Sequence, residues 1–301
     1  MSLRVGIVGY GEIAGYHARH LVSAGAQLVG VVTRRSAPPE LVRYASLSDM
    51  LPEVDAVTIA VPNHLHASLG IEVVAAGTAV LVEKPLCITE RELHSLEAAL
   101  AHATRPVHVG MRLRWNPALR ALRARVRGVR CVRCTYRLGI ERLAAGKSWT
   151  RHEADSGGAF STLGVHALDL ARWIASAGAR PLEDLRAQAT HREAGADFPL
   201  MARVEGRIQG GSWIEATADL RGDAPFRLEL EVDADNGVFA DDSFTELRPE
   251  DAGAADVEYA GLMRHFVEAA MSGKPAPDEI DEILQCHREL LAARCRAAAA
   301  T

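Results

Sequence analysis

Short apolar runs rich in β-branched residues alternate with amphipathic stretches over the first third of the chain. The runs occupy residues 3–8, 27–32, 56–61, 79–82 and 107–110, and apolar segments this short, spaced by helical pattern, predict buried parallel strands covered by helices. Helix signals fall between them: Asn63 as a cap with Gly77 as the stop, then Thr89 and Glu92 as a capping box. Asn116-Pro117 opens another helix, with proline in the first turn, where its missing N–H costs nothing.

Past Gly128 the period changes. Apart from one helix over residues 161–174, the middle of the second half alternates with period two. Phe226, Leu228, Leu230 and Val232 face one way, and Arg227, Glu229 and Glu231 the other; Val204, Gly206 and Ile208 alternate with Arg203, Glu205 and Arg207 in the same manner. One apolar and one charged face predicts a largely antiparallel sheet packed on one side. Asp235-Asn236-Gly237 supplies a hairpin turn, and helices over 262–271 and 280–299 close the chain, ending in an alanine-rich tail. The expected fold is α/β: a doubly wound Rossmann sheet in residues 1–115, then an α/β domain on a largely antiparallel sheet in residues 116–301.

Composition adds exclusions. A chain of 301 residues, 48% hydrophobic and 24% charged, is ordinary globular material for two domains of about 150 residues each. Acidic residues number 39 against 34 basic, a net charge of -5, so no overall basic field recruits nucleic acid or an anionic membrane. No apolar run reaches the roughly 18 residues of a membrane helix, and MSLRVGIVGYGEIAG lacks a charged leader before a cleavable apolar stretch. A cytoplasmic protein is expected. Of five cysteines, Cys131 and Cys134 form one CxxC, but a strand points residues three apart to opposite faces and no second pair completes a zinc site.

The first strand runs into Gly9-Tyr10-Gly11-Glu12-Ile13-Ala14, a GxGxxA turn from strand to helix. Gly9 permits the turn, Gly11 lets the backbone approach a pyrophosphate at the helix N-terminus, and Ala14 suits close helix–strand packing. Dinucleotide binding follows. After the second strand, where an acidic residue would hold the ribose of NAD, the chain reads Val32-Thr33-Arg34-Arg35. A hydroxyl and a guanidinium suit a 2′-phosphate, so NADP(H) is favoured, with NAD(H) as the alternative.

Four further segments follow in order: Val61-Pro62-Asn63-His64-Leu65-His66, then Glu83-Lys84-Pro85, then Trp149 ahead of Ser156-Gly157-Gly158-Ala159-Phe160, then Gly164-Val165-His166-Ala167-Leu168-Asp169. With GYGEIA, this ordered set resembles the glucose-fructose oxidoreductase / inositol dehydrogenase / rhizopine catabolism (Gfo/Idh/MocA) family over nearly the whole chain. The resemblance makes Lys84 the catalytic lysine, hydrogen-bonding the oxygen that changes between hydroxyl and carbonyl, with His166 as the matching proton-transfer group. It places the segment of Pro62, Asn63 and His66, with Glu83, beside the nicotinamide. It also implies assembly through the second sheet, as a homodimer or larger homo-oligomer.

Where many family members carry an aspartate one turn before the histidine, this chain has Thr162, which supplies no charge to raise the His166 pKa. Asp169 lies three residues past His166 and either orients its ring or pairs with Arg172. Arg112, Arg114, Trp115 and Asn116 lie at the domain crossover, and Arg112 and Trp149, with Thr162 and Asp169, are candidates for holding a hydroxyl-rich substrate. No metal ligand set is assigned; the His64/His66 pair reads as a helix start. The expected activity is hydride transfer between NADP(H) and a sugar, cyclitol or related carbonyl. The alternatives are reduction of a non-sugar ligand, such as an imine or linear tetrapyrrole, and a cofactor-binding sensor without turnover.

Overall fold

A computed structural model describes residues 2–240, 251, 253–274 and 277–299. Strands β1 (Arg4–Val8), β2 (Gln27–Val32), β3 (Val42–Arg43), β4 (Ala56–Ile59), β5 (Ala79–Val82) and β6 (Val107–Val109) form a parallel sheet in the order β3-β2-β1-β4-β5-β6. Five of these strands are legible as apolar runs. The sixth, β3, is two exposed residues at the sheet edge, too short to carry a period. Chain direction across the sheet reverses between β1 and β4, which opens a ligand crevice outside their carboxyl ends.

Helix α1 (Glu12–Ser23) follows β1, α2 (His66–Ala75) follows β4, and α3 (Glu90–Leu100) follows β5. Thr89 and Glu92 form the full capping box at α3. At α4 (Pro117–Arg125) the Asn116 Oδ1 accepts the N–H groups of Ala118 and Leu119, at 3.0 and 3.3 Å.

The second sheet comprises β7 (Val129–Arg137), β8 (Leu182–Thr190), β9 (Met201–Ile208), β10 (Trp213–Asp219), β11 (Arg227–Ala234) and β12 (Gly237–Phe239), in the order β12-β11-β7-β10-β9-β8. Only β7 and β10 run parallel; every other neighbouring pair is antiparallel. Leu228, Leu230 and Val232 are buried and their neighbours are not, as period two requires. Helix α5 (Val165–Ile174) covers the apolar face, entered through a wide π-helical turn, Phe160–Gly164. Asp235 and Asn236 turn the β11–β12 hairpin. Gly237 alone among the turn residues takes positive φ, 133°, because the Asn236 side chain is tied to the backbone of Arg125 and Arg127.

Two long helices complete the chain, α6 (Ala254–Ser272) and α7 (Pro277–Ala299). Sequence position groups α6 with the second half, yet Tyr259, Leu262, Met263, Phe266 and Val267 pack against Leu3, Val5, Ile7 and Leu21 of the first sheet and α1. A parallel sheet needs cover on both faces, and burying each large side chain contributes roughly 1.5–3 kcal/mol. Helix α7 packs against β8, α5 and α3, touching both halves. Among the described residues no helix is long and apolar enough to cross a membrane. The five cysteines form no disulfide among the described residues, with Cys131 half-buried and Cys134 buried.

Candidate functional site

The glycine turn after β1 is built for close approach. Gly9 takes φ +85°, and a Cβ there would lie 2.3 Å from the Ala60 carbonyl oxygen, while the space around Gly11 is open to 4 Å. Gly11 is the cap of α1, with no side chain accepting the first-turn N–H groups. An open cradle lined by free N–H groups at the positive end of a twelve-residue helix fits a pyrophosphate. Tyr10 lines a groove with Pro38, Glu40 and Leu41 beside this turn. Ile13 is half-buried, and Glu12 accepts from Lys147 Nζ at 3.1 Å, tying the turn to the second half. After β2, the Thr33 hydroxyl accepts the Arg35 N–H at 3.0 Å and the Thr33 carbonyl accepts Arg43 Nη2 at 3.0 Å. Arg34 is exposed.

Past β4, Asn63 corrects the expectation of a helix cap. It starts a single 3-10 turn, Asn63–Leu65, and α2 begins only at His66. Its buried carboxamide donates from Nδ2 to the Ser156 carbonyl at 2.8 Å, because docking against the second half engages the side chain. Pro62 leads into that turn. His66 is buried with Nδ1 2.7 Å from the Pro85 carbonyl and Nε2 2.9 Å from the Val61 carbonyl. Burial lowers its pKa and the two carbonyls oppose that shift. The ring thus lies between the loops after β4 and β5, and its neutral form donates its one N–H to one of the two carbonyls. Glu83 faces inward, where His17 Nε2 meets its carboxylate at 3.1 Å. Burial alone would raise the Glu83 pKa, but His17 and Lys84 outweigh it and hold the carboxyl below its usual range.

Lys84 reaches from the end of β5 across the crevice, and its Nζ donates to the Thr162 carbonyl at 3.1 Å. Burial, reinforced by Arg112 and Lys147 and opposed by Glu83, lowers its pKa to about 8. Thr162 lies in the π-helical entry to α5 and His166 in the first turn of α5 itself, and both are buried. The Thr162 hydroxyl donates to the Gly158 carbonyl at 2.7 Å, so the residue offers Lys84 a backbone oxygen and keeps its side chain on its own helix. His166 stacks on Tyr136, centroids 4.8 Å apart. Burial pushes its pKa well below the usual value, and the charges of Lys84 and Arg112 push the same way.

Arg112 donates Nη2 to the Tyr136 hydroxyl at 3.2 Å and pairs through Nη1 with the fully buried Glu258 of α6. Asp169 takes neither of the two partners expected for it. Its two oxygens accept Arg114 at 2.6 and 3.0 Å, and Arg172 pairs instead with Glu289 of α7 at 2.7 Å. Desolvated carboxylates are best satisfied by a planar two-pronged donor, and the crossover segment presents one to Asp169. Trp149 is half-buried in the single turn Ser148–Arg151, next to Lys147. Sequence reasoning missed Tyr136, His17 and Glu258. Alternation along β7 places Tyr136 on its buried face, whereas nothing local marks Glu258 as a partner from 146 residues away.

A doubly wound sheet with a free-amide glycine turn, facing a buried lysine and histidine held by a second sheet, defines a two-domain dinucleotide-binding protein. The chain belongs to the GFO/IDH/MocA oxidoreductase family. Residues 3–111 match the oxidoreductase family, NAD-binding Rossmann fold, and residues 124–240 match the GFO/IDH/MocA C-terminal domain. It is 32% identical over 195 residues to inositol 2-dehydrogenase 1 of Saccharopolyspora erythraea, covering 58% of this chain and 55% of that one. It is 29% identical over 256 residues to the inositol 2-dehydrogenase of Acidothermus cellulolyticus, covering 79% and 72%. The crystal structure of GenD2 from gentamicin A biosynthesis in complex with NAD superposes with a TM-score of 0.85 at 24% identity, covering 100% of this chain and 95% of that one. The matched stretch thus spans about half of the Saccharopolyspora enzyme's length.

Proposed function

We propose that the protein is a nicotinamide-dependent dehydrogenase acting on a secondary hydroxyl, or the corresponding ketone, of a cyclitol or sugar. The observation that carries this reading is the meeting of Lys84 Nζ with the Thr162 carbonyl, one turn before His166, at the carboxyl edge of the dinucleotide sheet. The inositol dehydrogenases among its relatives support the substrate class. When bound, the nicotinamide takes or supplies the hydride. Lys84 holds the reacting oxygen and stabilises its developing negative charge. His166, kept neutral by burial and by the neighbouring cations, accepts or returns the hydroxyl proton. Arg112 and Trp149 are assigned to the other hydroxyls of the substrate. The implied partner is a small polyol, and the ion-paired outer face of the second sheet, where Arg203 meets Glu215, is the surface offered to a second copy. Turnover of a polyol panel with both cofactors tests the reading, and cofactor binding without any turnover would replace it with the sensor.

The direction of reaction sets the pH profile. Ketone reduction uses the ammonium form of Lys84, so kcat/KM for reduction falls as pH rises through about 8, where the group loses its proton. Hydroxyl oxidation takes its proton acceptor from His166, which burial and the neighbouring cations keep neutral over the same interval, so oxidation shows no rise through about 8. Steady-state rates from pH 6 to 10 check both directions, and a flat profile for reduction removes Lys84 from the proton path.

The reading further assigns the 2′-phosphate of NADP(H) to Thr33 and Arg34. Its support is the missing carboxylate after β2 and an exposed guanidinium that pairs with no acid among the described residues. Calorimetric titration should give tighter binding of NADPH than NADH, and Arg34→Asp should reverse the order, since one charged contact exchanged for a repulsive one is worth about 1.5–3 kcal/mol. An unchanged preference in that variant refutes the assignment.

A further inference from the structure

On the far edge of the first sheet, three side chains from three elements converge away from the lysine and histidine just described. His108 lies on β6, His265 on α6 and Glu279 in the first turn of α7. Glu279 Oε2 stands 3.6 Å from His108 Nδ1 and 3.6 Å from His265 Nε2, and all three ligand atoms lie within 4.8 Å of one another. These separations exceed hydrogen-bond reach. The two carboxylate–imidazole separations are close to the edge of about 3.4 Å that a tetrahedral ion with ligands at about 2.0–2.1 Å imposes on its donors, and the remaining pair lies within 4.8 Å.

The protein alone does not satisfy His108. Only 2% of its surface is exposed, its Nε2 has no hydrogen-bond partner, and its Nδ1 faces Glu279 at the longer distance. Nδ1, the ring nitrogen that faces Glu279, thus has no partner within hydrogen-bond reach and is the atom available to an ion, whereas Nε2 is the other ring nitrogen and does not ligate there. The two imidazole rings meet edge to face, 84° between planes with centroids 5.0 Å apart. Trp115 packs tilted against His265 at 4.9 Å and Arg120 lies over the Trp115 ring, so the second imidazole is oriented before any ion arrives.

We propose that His108, His265 and Glu279 bind one divalent transition-metal ion of the zinc type, with water completing its coordination. Two imidazoles and a carboxylate are a donor set such ions accept. Bound there, the ion clamps the edge strand β6 to the two helices that carry the chain back over the first sheet. Arg114 acts on Glu279 and Arg120 on His265, and their charges oppose the ion, so micromolar affinity is expected rather than the tighter binding of a bare set.

The test uses the full chain stripped with a chelator and titrated with zinc chloride against a chromophoric chelator. One ion per chain should bind, with a dissociation constant near 10 µM, on the order expected for a weakened three-ligand site. Zinc should raise Tm by several degrees, and Co²⁺ should give the absorption of a four- or five-coordinate nitrogen and oxygen site. His265→Ala and Glu279→Gln, whose side chains are partly exposed and so leave the core intact, should each weaken binding at least about tenfold. A Cys131→Ser/Cys134→Ser variant should bind as the parent does. The absence of stoichiometric binding at about 100 µM zinc, well above the expected constant, shows an ion-pair cluster only and overturns the proposal. Binding that survives both the His265 and the Glu279 change overturns it as well.

Discussion

Replacing Lys84 with methionine is expected to lower kcat/KM by about 10²–10³-fold while leaving cofactor affinity within about threefold, the effect of removing one preorganised donor to a developing oxyanion. Methionine preserves an unbranched apolar stem, so the change isolates the ammonium that donates to the Thr162 carbonyl. The fold should not suffer. Burial already disfavours the lysine charge strongly enough to bring its pKa to about 8, so a neutral side chain at this position removes a cost. With Lys84 gone, one of the two cations that depress His166 is gone too, and the His166 pKa should move upward. Steady-state rates, calorimetric cofactor binding and a nuclear magnetic resonance titration of the imidazole measure the three effects separately. Activity within about threefold of the parent would remove Lys84 from the reacting oxygen.

Replacing Asp169 with alanine is expected to lower stability by about 3–5 kcal/mol, the cost of leaving a buried charge without its partner. In Tm this is a fall of about 10 °C for a chain of this size. Asp169 accepts both prongs of Arg114, whose remaining partner, Glu282, is more open to solvent. A thermal melt detects the loss, and cofactor affinity at low temperature should stay near the parent's value. The double change Asp169→Leu with Arg114→Met should be much less destabilising than the two single changes added together, since it removes both charges at once. If Asp169→Ala instead kept its Tm and raised KM, the carboxylate would belong to substrate binding.

Local pattern was enough for most of the fold. The strands 27–32 and 79–82 coincide with β2 and β5 to the residue: β5 is apolar and buried throughout and stops at Glu83, and β2 carries its β-branched run past the exposed Gln27 and the internal Gly30 up to Thr33. The capping box of α3 and the Asn116-Pro117 start of α4 were equally legible, since each is settled within four residues of backbone. Asn63 reads differently because its side chain answers to a carbonyl 93 residues away, and a cap and a cross-domain donor look alike in the sequence. The same limit applies to Asp169: spacing alone offers His166 and Arg172, and only tertiary packing brings Arg114 closer than either.

The glycine turn, the order of the motifs and the period-two face of the second sheet were determined by sequence, because the forces behind them act between near neighbours or along one element. Tertiary structure decided the rest. It placed α6 on the first sheet, gave Arg112 the buried Glu258 as partner, and lowered the Lys84 pKa by burying the side chain, with Arg112 and Lys147 adding to the shift. It also gathered His108, His265 and Glu279 from positions spread over more than half the chain. Desolvation and charge depend on what packs from a distance, and no spacing along the chain encodes that distance.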